Sequence, residues 1–359
     1  RTRDRVRVRA RARARARARR DRDSRSTSSR ENATMTDEIE VSWRPTAPLA
    51  NLRRRAELLA RVREFFRTRG VLEVETPTLS ATTVTDLHLA SVRLSDDIRS
   101  PELRGAWLQT SPEFHMKRLL AAGHGPIVQI CRAFRDGEAG RQHNPEFTML
   151  EWYRTGWDHH RLMDEVSDLL AATLATEPAV RLSYRDVFRR HSGLDPWAAS
   201  DEEFDSCTAA HGLVPPRGQL TRDDRLQLVM TAAVEPHLGR GRPTLVHDYP
   251  ASQAALARVR PGDPPVAERF EAYVDGVELA NGYHELTDPE EQRRRFDADL
   301  EARAAAGLPV VPKDDRLVAA LHHGLPDCAG VALGFDRLVM LACGAESIDQ
   351  VIAFPVGRA

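Results

Sequence analysis

From Ile130 to Tyr153 the chain reads ICRAFRDGEAGRQHNPEFTMLEWY. An apolar strand pattern ends at Phe134-Arg135, a polar stretch follows, and alternation resumes from Phe147 into Trp152 and Tyr153. This predicts two antiparallel strands whose connecting loop carries Arg135, Asp136, Glu138, Arg141, His143 and Asn144. Such a loop is longer than a hairpin needs, and long polar loops on rigid strands commonly carry function; a solvated hairpin tip has the same composition. A second stretch, VELANGYHEL, holds Glu278 and Glu285 seven positions apart, which a straight strand would point to opposite faces. A bulge at Asn281-Gly282 would bring them to one face. Two carboxylates converging beside a phosphate loop would hold Mg²⁺, which takes oxygen ligands shared with phosphates; two exposed strand glutamates are the alternative. Arg337 falls in the first turn of a helix that follows Gly334. The helix dipole disfavours a cation there, so a facing phosphate would account for it, and glycine at 334 lets a ligand approach the backbone. Arg135 and Arg337 together would grip a polyphosphate and stabilise the charge that spreads over an α-phosphate when a carboxylate attacks it. The product of that attack is an acyl adenylate.

The arrangement FR, polar loop, R-x-HNPEFTMLEWY resembles motif 2 of the class II aminoacyl-tRNA synthetases, in the lysyl branch and in its shorter paralogous family, the elongation factor P (R)-β-lysine ligases. The resemblance runs from about Met35 to Ala359 through SPEFHMKRLL, ELANGYHEL and the motif 3-like ALGFDRLVML. It implies that ATP lies against Arg135, Asp136, Gly137, Glu138 and Asn144 of the hairpin and against Glu278, Leu279, Gly334 and Arg337. It also implies Mg²⁺ on Glu278 and Glu285, and an amino-acid pocket formed by Ser111, Pro112, Glu113, Tyr153, Glu285 and Ala332. Glu113 at the start of a helix is equally a simple dipole partner. In the family motif 2 commonly reads FR-x-E, whereas here Gly137 stands at the Glu position with Glu138 after it.

Two features favour the shorter family. The catalytic resemblance begins almost at Met35, leaving no room for the anticodon-binding OB-fold of lysyl-tRNA synthetases, and Ala332 stands where those enzymes tend to have glycine. An added methyl on a pocket floor suits an amino group moved from the α to the β carbon. The implied activity is ATP-dependent activation of (R)-β-lysine and transfer to a lysine ε-amine of elongation factor P, with no stable tRNA binding. A truncated lysyl-tRNA synthetase, or a catalytically silent paralogue that binds nucleotide or a partner protein, stays open at this point.

The elements that must position these residues are legible in outline. Asn51 is placed to cap a helix with Leu52, Ala56, Leu59, Val62 and Phe66 on one face, closed by Gly70 and followed by a strand at 71–75. That helix, strand and Pro77 have the layout of motif 1, which in the resembled family makes a homodimer. Residues 159–174 read as an amphipathic helix, and the adjacent pairs His159-His160 and His322-His323 read as surface residues. Residues 176–243 read as a helical insertion. Asp275-Gly276 between alternating runs predicts a hairpin, and Asp288-Pro289 with Glu291 predicts a capped helix to Gly307. The fold class expected is α+β, an antiparallel sheet flanked by helices.

Composition narrows the classes further. No apolar run approaches the ~20 residues that span a bilayer, and no segment shows the apolar middle region of a signal peptide. Cys131, Cys207, Cys328 and Cys343 lack C-x-x-C spacing, so neither a zinc knuckle nor a disulfide framework is indicated, and a reduced cytoplasm fits. There is no G-x-x-x-x-G-K-[ST] and no G-x-G-x-x-G after a strand. Fourteen of the 52 Lys and Arg lie in residues 1–34 beside only Asp4, Asp21, Asp23 and Glu31, so the rest of the chain is acidic. Residues 1–34 are of low complexity and predicted to be disordered; residues 35–359 form the expected catalytic domain.

Overall fold

The computed structural model describes residues 43–213 and 220–359; the Arg-rich stretch at 1–34 lies outside the described residues. The strands are β1 (Leu72–Glu73), β2 (Leu79–Ser80), β3 (Trp107–Leu108), β4 (Ile127–Phe134), β5 (Glu146–Thr155), β6 (Val180–Ser183), β7 (Thr244–Pro250), β8 (Val259–Arg260), β9 (Val266–Val274), β10 (Val277–His284) and β11 (Cys328–Gly334). The α-helices are α1 (Leu49–Arg67), α2 (Glu113–Ala121), α3 (His159–Leu174), α4 (Tyr184–Ser192), α5 (Asp201–Ala210), α6 (Arg222–Val229), α7 (Pro289–Ala305), α8 (Asp315–Gly324) and α9 (Phe335–Cys343). Among the described residues the main sheet runs β1-β4-β5-β11-β10-β9-β7-β6, with β8 beside β9, and β2 pairs separately with β3. Every pairing from β4 to β7 is antiparallel, and only the edge strands β1 and β6 pair in parallel. The expected α+β class is what forms.

One face of the sheet is covered by α1, α3 and α9. Leu150 and Trp152 of β5, Phe270 of β9 and Leu333 of β11 point there and pack with Leu58, Val62, Leu162, Val166 and Leu338. On α1 the buried residues are Leu58, Val62, Phe65 and Phe66, so the stripe expected through Leu52 and Ala56 is rotated. The helical period is as predicted, but the adjacent phenylalanines carry the largest apolar area and set the phase. Nor does Asn51 cap this helix. The helix begins at Leu49 after Pro48, and the Asn51 amide donates to the Gln350 carbonyl at 2.9 Å.

The other face is left partly open. It is walled at one end by α2, α7 and α8 through Phe114, Phe296 and Leu317, and at the other by α4, α5 and α6 through Phe188, Phe204 and Leu226. The segment read as a helical insertion is therefore not wholly helical. Its first element is β6, which pairs with β7 from Val180↔Thr244 to Ser183↔His247 and anchors the helices to the sheet edge.

The β9–β10 hairpin turns on Asp275 (φ 51°) and Gly276 (φ 77°), the left-handed pair that a two-residue turn requires. Its irregularity lies between Glu278 and Ala280 rather than at Asn281-Gly282. Gly282 stays in register because Phe270 packs over it: a Cβ there would lie 2.4 Å from the Phe270 ring.

Asp336, in the first turn of α9, ties three elements together. Its Oδ1 accepts from Arg55 Nη1 of α1 at 2.5 Å, and its Oδ2 accepts from the Thr148 backbone N–H of β5 at 2.7 Å. Breaking such a buried pair strands a charge at a cost of ~3–5 kcal/mol. Asp336→Ala is accordingly expected to lose about that much stability in urea denaturation; a loss under 1 kcal/mol would show that α9 is held by its apolar contacts alone.

Candidate active site

The open face holds a cleft of about 330 Å³, within the ~300–1,000 Å³ of small-molecule sites. Strand register lays out its floor. One rung crosses the sheet as Glu151, Ala332, Asn281 and Glu271, and the next as Tyr153, Gly330, Tyr283 and Arg269. The small residues of β11 make the depression between larger neighbours. At Gly330 there is no room for more, since a Cβ would stand 2.3 Å from the Tyr153 ring and 2.5 Å from Glu285 Oε1.

One end of the cleft is acidic. Glu113 opens α2, and Lys117 one turn later is only 1% exposed, with its ammonium 2.7 Å from Glu113 Oε1 and 2.6 Å from Glu285 Oε2. Burial alone would drive the proton off Lys117, but the two carboxylates outweigh it and hold the amine above its ordinary range. Burial likewise pushes the Glu285 carboxyl up, with Lys117 opposing. Beside them Glu151 accepts from Ser111 Oγ at 2.9 Å and from Tyr153 Oη at 2.7 Å. Its burial, followed by the charge of Glu113, lifts its pKa to about 8.

The other end is cationic. Arg337 donates to the Glu278 carbonyl at 2.8 Å and to His143 Nε2 at 2.5 Å, and its guanidinium lies 3.5 Å from Glu278 Oε2. Burial and then the charge of Arg337 keep His143 below the usual imidazole range, which suits it to accept. Arg135 stacks on Phe147 at 5.1 Å and lies 3.7 Å from Glu138; its buried Nε has no partner among the described residues. Arg269 stands apart from this pair, opposite Tyr283 in the register, and is held by Glu271, Asn281 and the Gln253 carbonyl.

The residues singled out in the sequence are thus largely brought together. Ser111, Glu113, Tyr153, Glu285 and Ala332 line the acidic half, and Arg135, Glu138, Glu278, Leu279, Gly334 and Arg337 line the rest. Three do not line the cleft. Pro112 is buried at the start of α2, while Asp136 and Gly137 are exposed on the hairpin. Gly137 adopts φ 77°, a turn that a glutamate would strain, and the carboxylate that reaches the cleft is Glu138. Asn144 lines the cleft, but its side chain is already engaged, donating to the Glu146 carbonyl at 2.6 Å and accepting from Val356 N–H at 3.0 Å. Gly334 has φ −70°, so an open cleft rather than backbone conformation accounts for its lack of a side chain.

Sequence reasoning missed Lys117, Glu151, Arg269, Asn281 and Tyr283. Lys117 was visible as the i+4 partner of Glu113, and Glu151 as the strand neighbour of Tyr153 on the same face. His159, read as a surface residue, is instead buried on the helix-covered face, because α3 starts beneath the ends of β9 and β10.

The Glu151 carboxyl yields a pH prediction. Its folded pKa, about 8, exceeds the ordinary 4.5, so the folded protein retains a proton that the unfolded chain loses in between. The stabilisation is present below pH 4.5 and is lost as pH rises through about 8. Glu151→Gln is expected to flatten the fall of Tm over that interval; equal slopes in the two proteins would show that Glu151 does not titrate there.

Similarity to known proteins agrees with this geometry. Residues 33–358 match the family model described as tRNA synthetases class II (D, K and N). Curated relatives include the elongation factor P (R)-β-lysine ligase of Klebsiella pneumoniae strain 342, 54% identical over 321 residues, spanning 89% of this chain and 98% of the relative. The ligases of the same name from Yersinia enterocolitica and Edwardsiella ictaluri are each 54% identical over 322 residues, with the same coverage. With its catalytic-type hairpin, its motif 3-like strand and helix, and nearly its whole length matched, this chain belongs to the class II tRNA synthetase family of the D, K and N type.

Proposed function

We propose that this chain activates (R)-β-lysine with ATP and transfers the acyl group to the ε-amine of a lysine on elongation factor P. The observation that carries the reading is the polarity of the cleft: Arg135 and Arg337 at one end, Glu113, Glu151 and Glu285 at the other, and Ala332 between. It is supported by the name of relatives that match almost end to end.

In the first step a substrate carboxylate oxygen bonds to the α-phosphorus and the bond to pyrophosphate breaks. Arg337, fixed by His143 and the Glu278 carbonyl, and Arg135, fixed over Phe147, meet the negative charge that develops. Both guanidiniums are held before the substrate arrives, so little reorganisation is needed at the moment of reaction. In the second step the acceptor amine, having lost its proton, attacks the acyl carbon and AMP leaves. Mg²⁺ carried with the phosphates would supply further positive charge. Glu278, 39% exposed toward the cleft, fits as its protein ligand, whereas Glu285 has one oxygen committed to Lys117 and offers only the other.

The acidic end suits a cationic amine. Glu113 and Glu285 share one ammonium, leaving an excess carboxylate, and Glu151 can surrender its proton when a second cation approaches. Ala332 raises the floor by one methyl between Glu151 and Asn281, which favours an amine set one carbon further along. The acidic chain outside residues 1–34 offers no broad positive surface for tRNA. No helix among the described residues is long and apolar enough to cross a membrane, and the four cysteines are free, which supports a cytoplasmic setting. The exposed Leu49 and Leu72, on and just after α1, support a homodimer through this motif 1-like segment.

The test offers labelled (R)-β-lysine and α-lysine, with ATP, to purified elongation factor P and to tRNA-Lys side by side. Label is expected on elongation factor P, with β-lysine preferred; label on tRNA alone would sink the reading. Arg337→Ala is expected to slow pyrophosphate release by ~10²–10³. Ala332→Gly is expected to move the preference toward α-lysine by about tenfold or more, the scale of one methylene in a pocket.

A further inference from the structure

The sheet face opposite the cleft carries a second group of ligand-type side chains that the proposed reaction does not use. His284 lies between Tyr283 and Glu285, both of which line the cleft, so its own side chain projects to the reverse face. There its Nδ1 lies 2.6 Å from Glu268 Oε2 of β9 and its Nε2 lies 3.0 Å from Asp327 Oδ1. His159, the first residue of α3, joins them: one ligand atom from each of His159, Glu268 and His284 falls within 4.8 Å of the others. His159 is 1% exposed, and neither of its ring nitrogens has a hydrogen-bond partner among the described residues. Buried polar atoms are nearly always satisfied, and one left bare has lost its water with nothing in return. Hydrogen bonding of His284 between two carboxylates explains Glu268 and Asp327. It does not explain His159.

We infer that His159, Glu268 and His284 form a binding site for one divalent transition-metal ion of the zinc type, on the reverse of the strand that carries Glu278 and leads into Glu285. Two imidazoles and one carboxylate are a borderline donor set that suits Zn²⁺, with solvent in the fourth position, and does not suit Mg²⁺ or Ca²⁺, which take all-oxygen shells. Asp327 on the far nitrogen of His284 is the outer carboxylate that fixes a ligating imidazole in its tautomer and orientation. The three ligands come from α3, β9 and β10, so a bound ion pins the start of α3 to the hairpin that floors the cleft.

The untagged full-length chain, stripped with a chelator and dialysed, is titrated with Zn²⁺ against a chromophoric competitor. One Zn²⁺ per chain is expected, with a rise in Tm on loading. His159→Gln and Glu268→Gln are each expected to weaken binding at least tenfold and to abolish the Tm rise. Asp327→Asn is expected to weaken it by about 10- to 100-fold while keeping the stoichiometry. Circular dichroism establishes that each variant is folded, and half-buried Glu268 gives a readable variant if His159→Gln does not fold. Affinity in Glu268→Gln equal to that of the unaltered chain, or X-ray absorption showing a sulfur neighbour at the bound zinc, overturns the proposal.

Discussion

The site depends on one extra residue in one strand. Leu279 has no partner opposite it in β9, and that bulge brings Glu278 onto the same face as Asn281, Tyr283 and Glu285. Without it, strand alternation would send Glu278 into the apolar layer beneath α3 and α9, where an ionised carboxylate costs several kcal/mol. The bulge therefore connects the two ends of the cleft. It lets β10 contribute a carboxylate beside Arg337 at one end, and the residue that follows the strand another beside Lys117 at the other.

Given that register, the cleft is a problem in buried charge. Three glutamates gather at one end, only two of them in contact with Lys117, and desolvation would neutralise or expel them in an apolar core. The chain resolves this in two ways. Lys117 is shared by Glu113 and Glu285, and Glu151 keeps its proton while Tyr153 and Ser111 donate to it. The excess acidity that remains is a standing preference for a cation. At the other end Arg337 is held by a carbonyl and Arg135 by a ring, so the positive charge is positioned beforehand.

The two walls of the cleft differ in how they are tied down. The α2–α7–α8 side packs directly on Tyr153 and Ile127, strands that also carry the hairpin. The α4–α6 side rests on Tyr249 and Tyr273 and is secured to the sheet edge through β6. The charged groups that line the cleft stand mainly on strands and on the first turns of α2 and α9. Those elements are fixed by the central core and by Asp336 bridging Arg55 and Thr148.

By itself the sequence determined the antiparallel hairpin read at 130–153, the Asp275-Gly276 turn and the strand-to-helix passage at Gly334, while its resemblance to the class II synthetases implied the grouping of Arg135, Arg337, Glu113, Glu278 and Glu285. The hairpin, the turn and the strand-to-helix passage are local signals: alternation and turn chemistry need no knowledge of distant partners. Tertiary structure decided what depends on neighbours across the sheet. The bulge sits at Leu279 because Phe270 claims the space over Gly282, and α1 is rotated because Phe65 and Phe66 both seek the core. Lys117 becomes a buried counter-ion only when Glu285, far along the chain, folds against it. His159 looks like a surface histidine until α3 begins beneath Glu268 and His284. Periodicity tells a chain which side chains point the same way; only long-range packing fixes what they meet there, and for buried charges that encounter sets the energy.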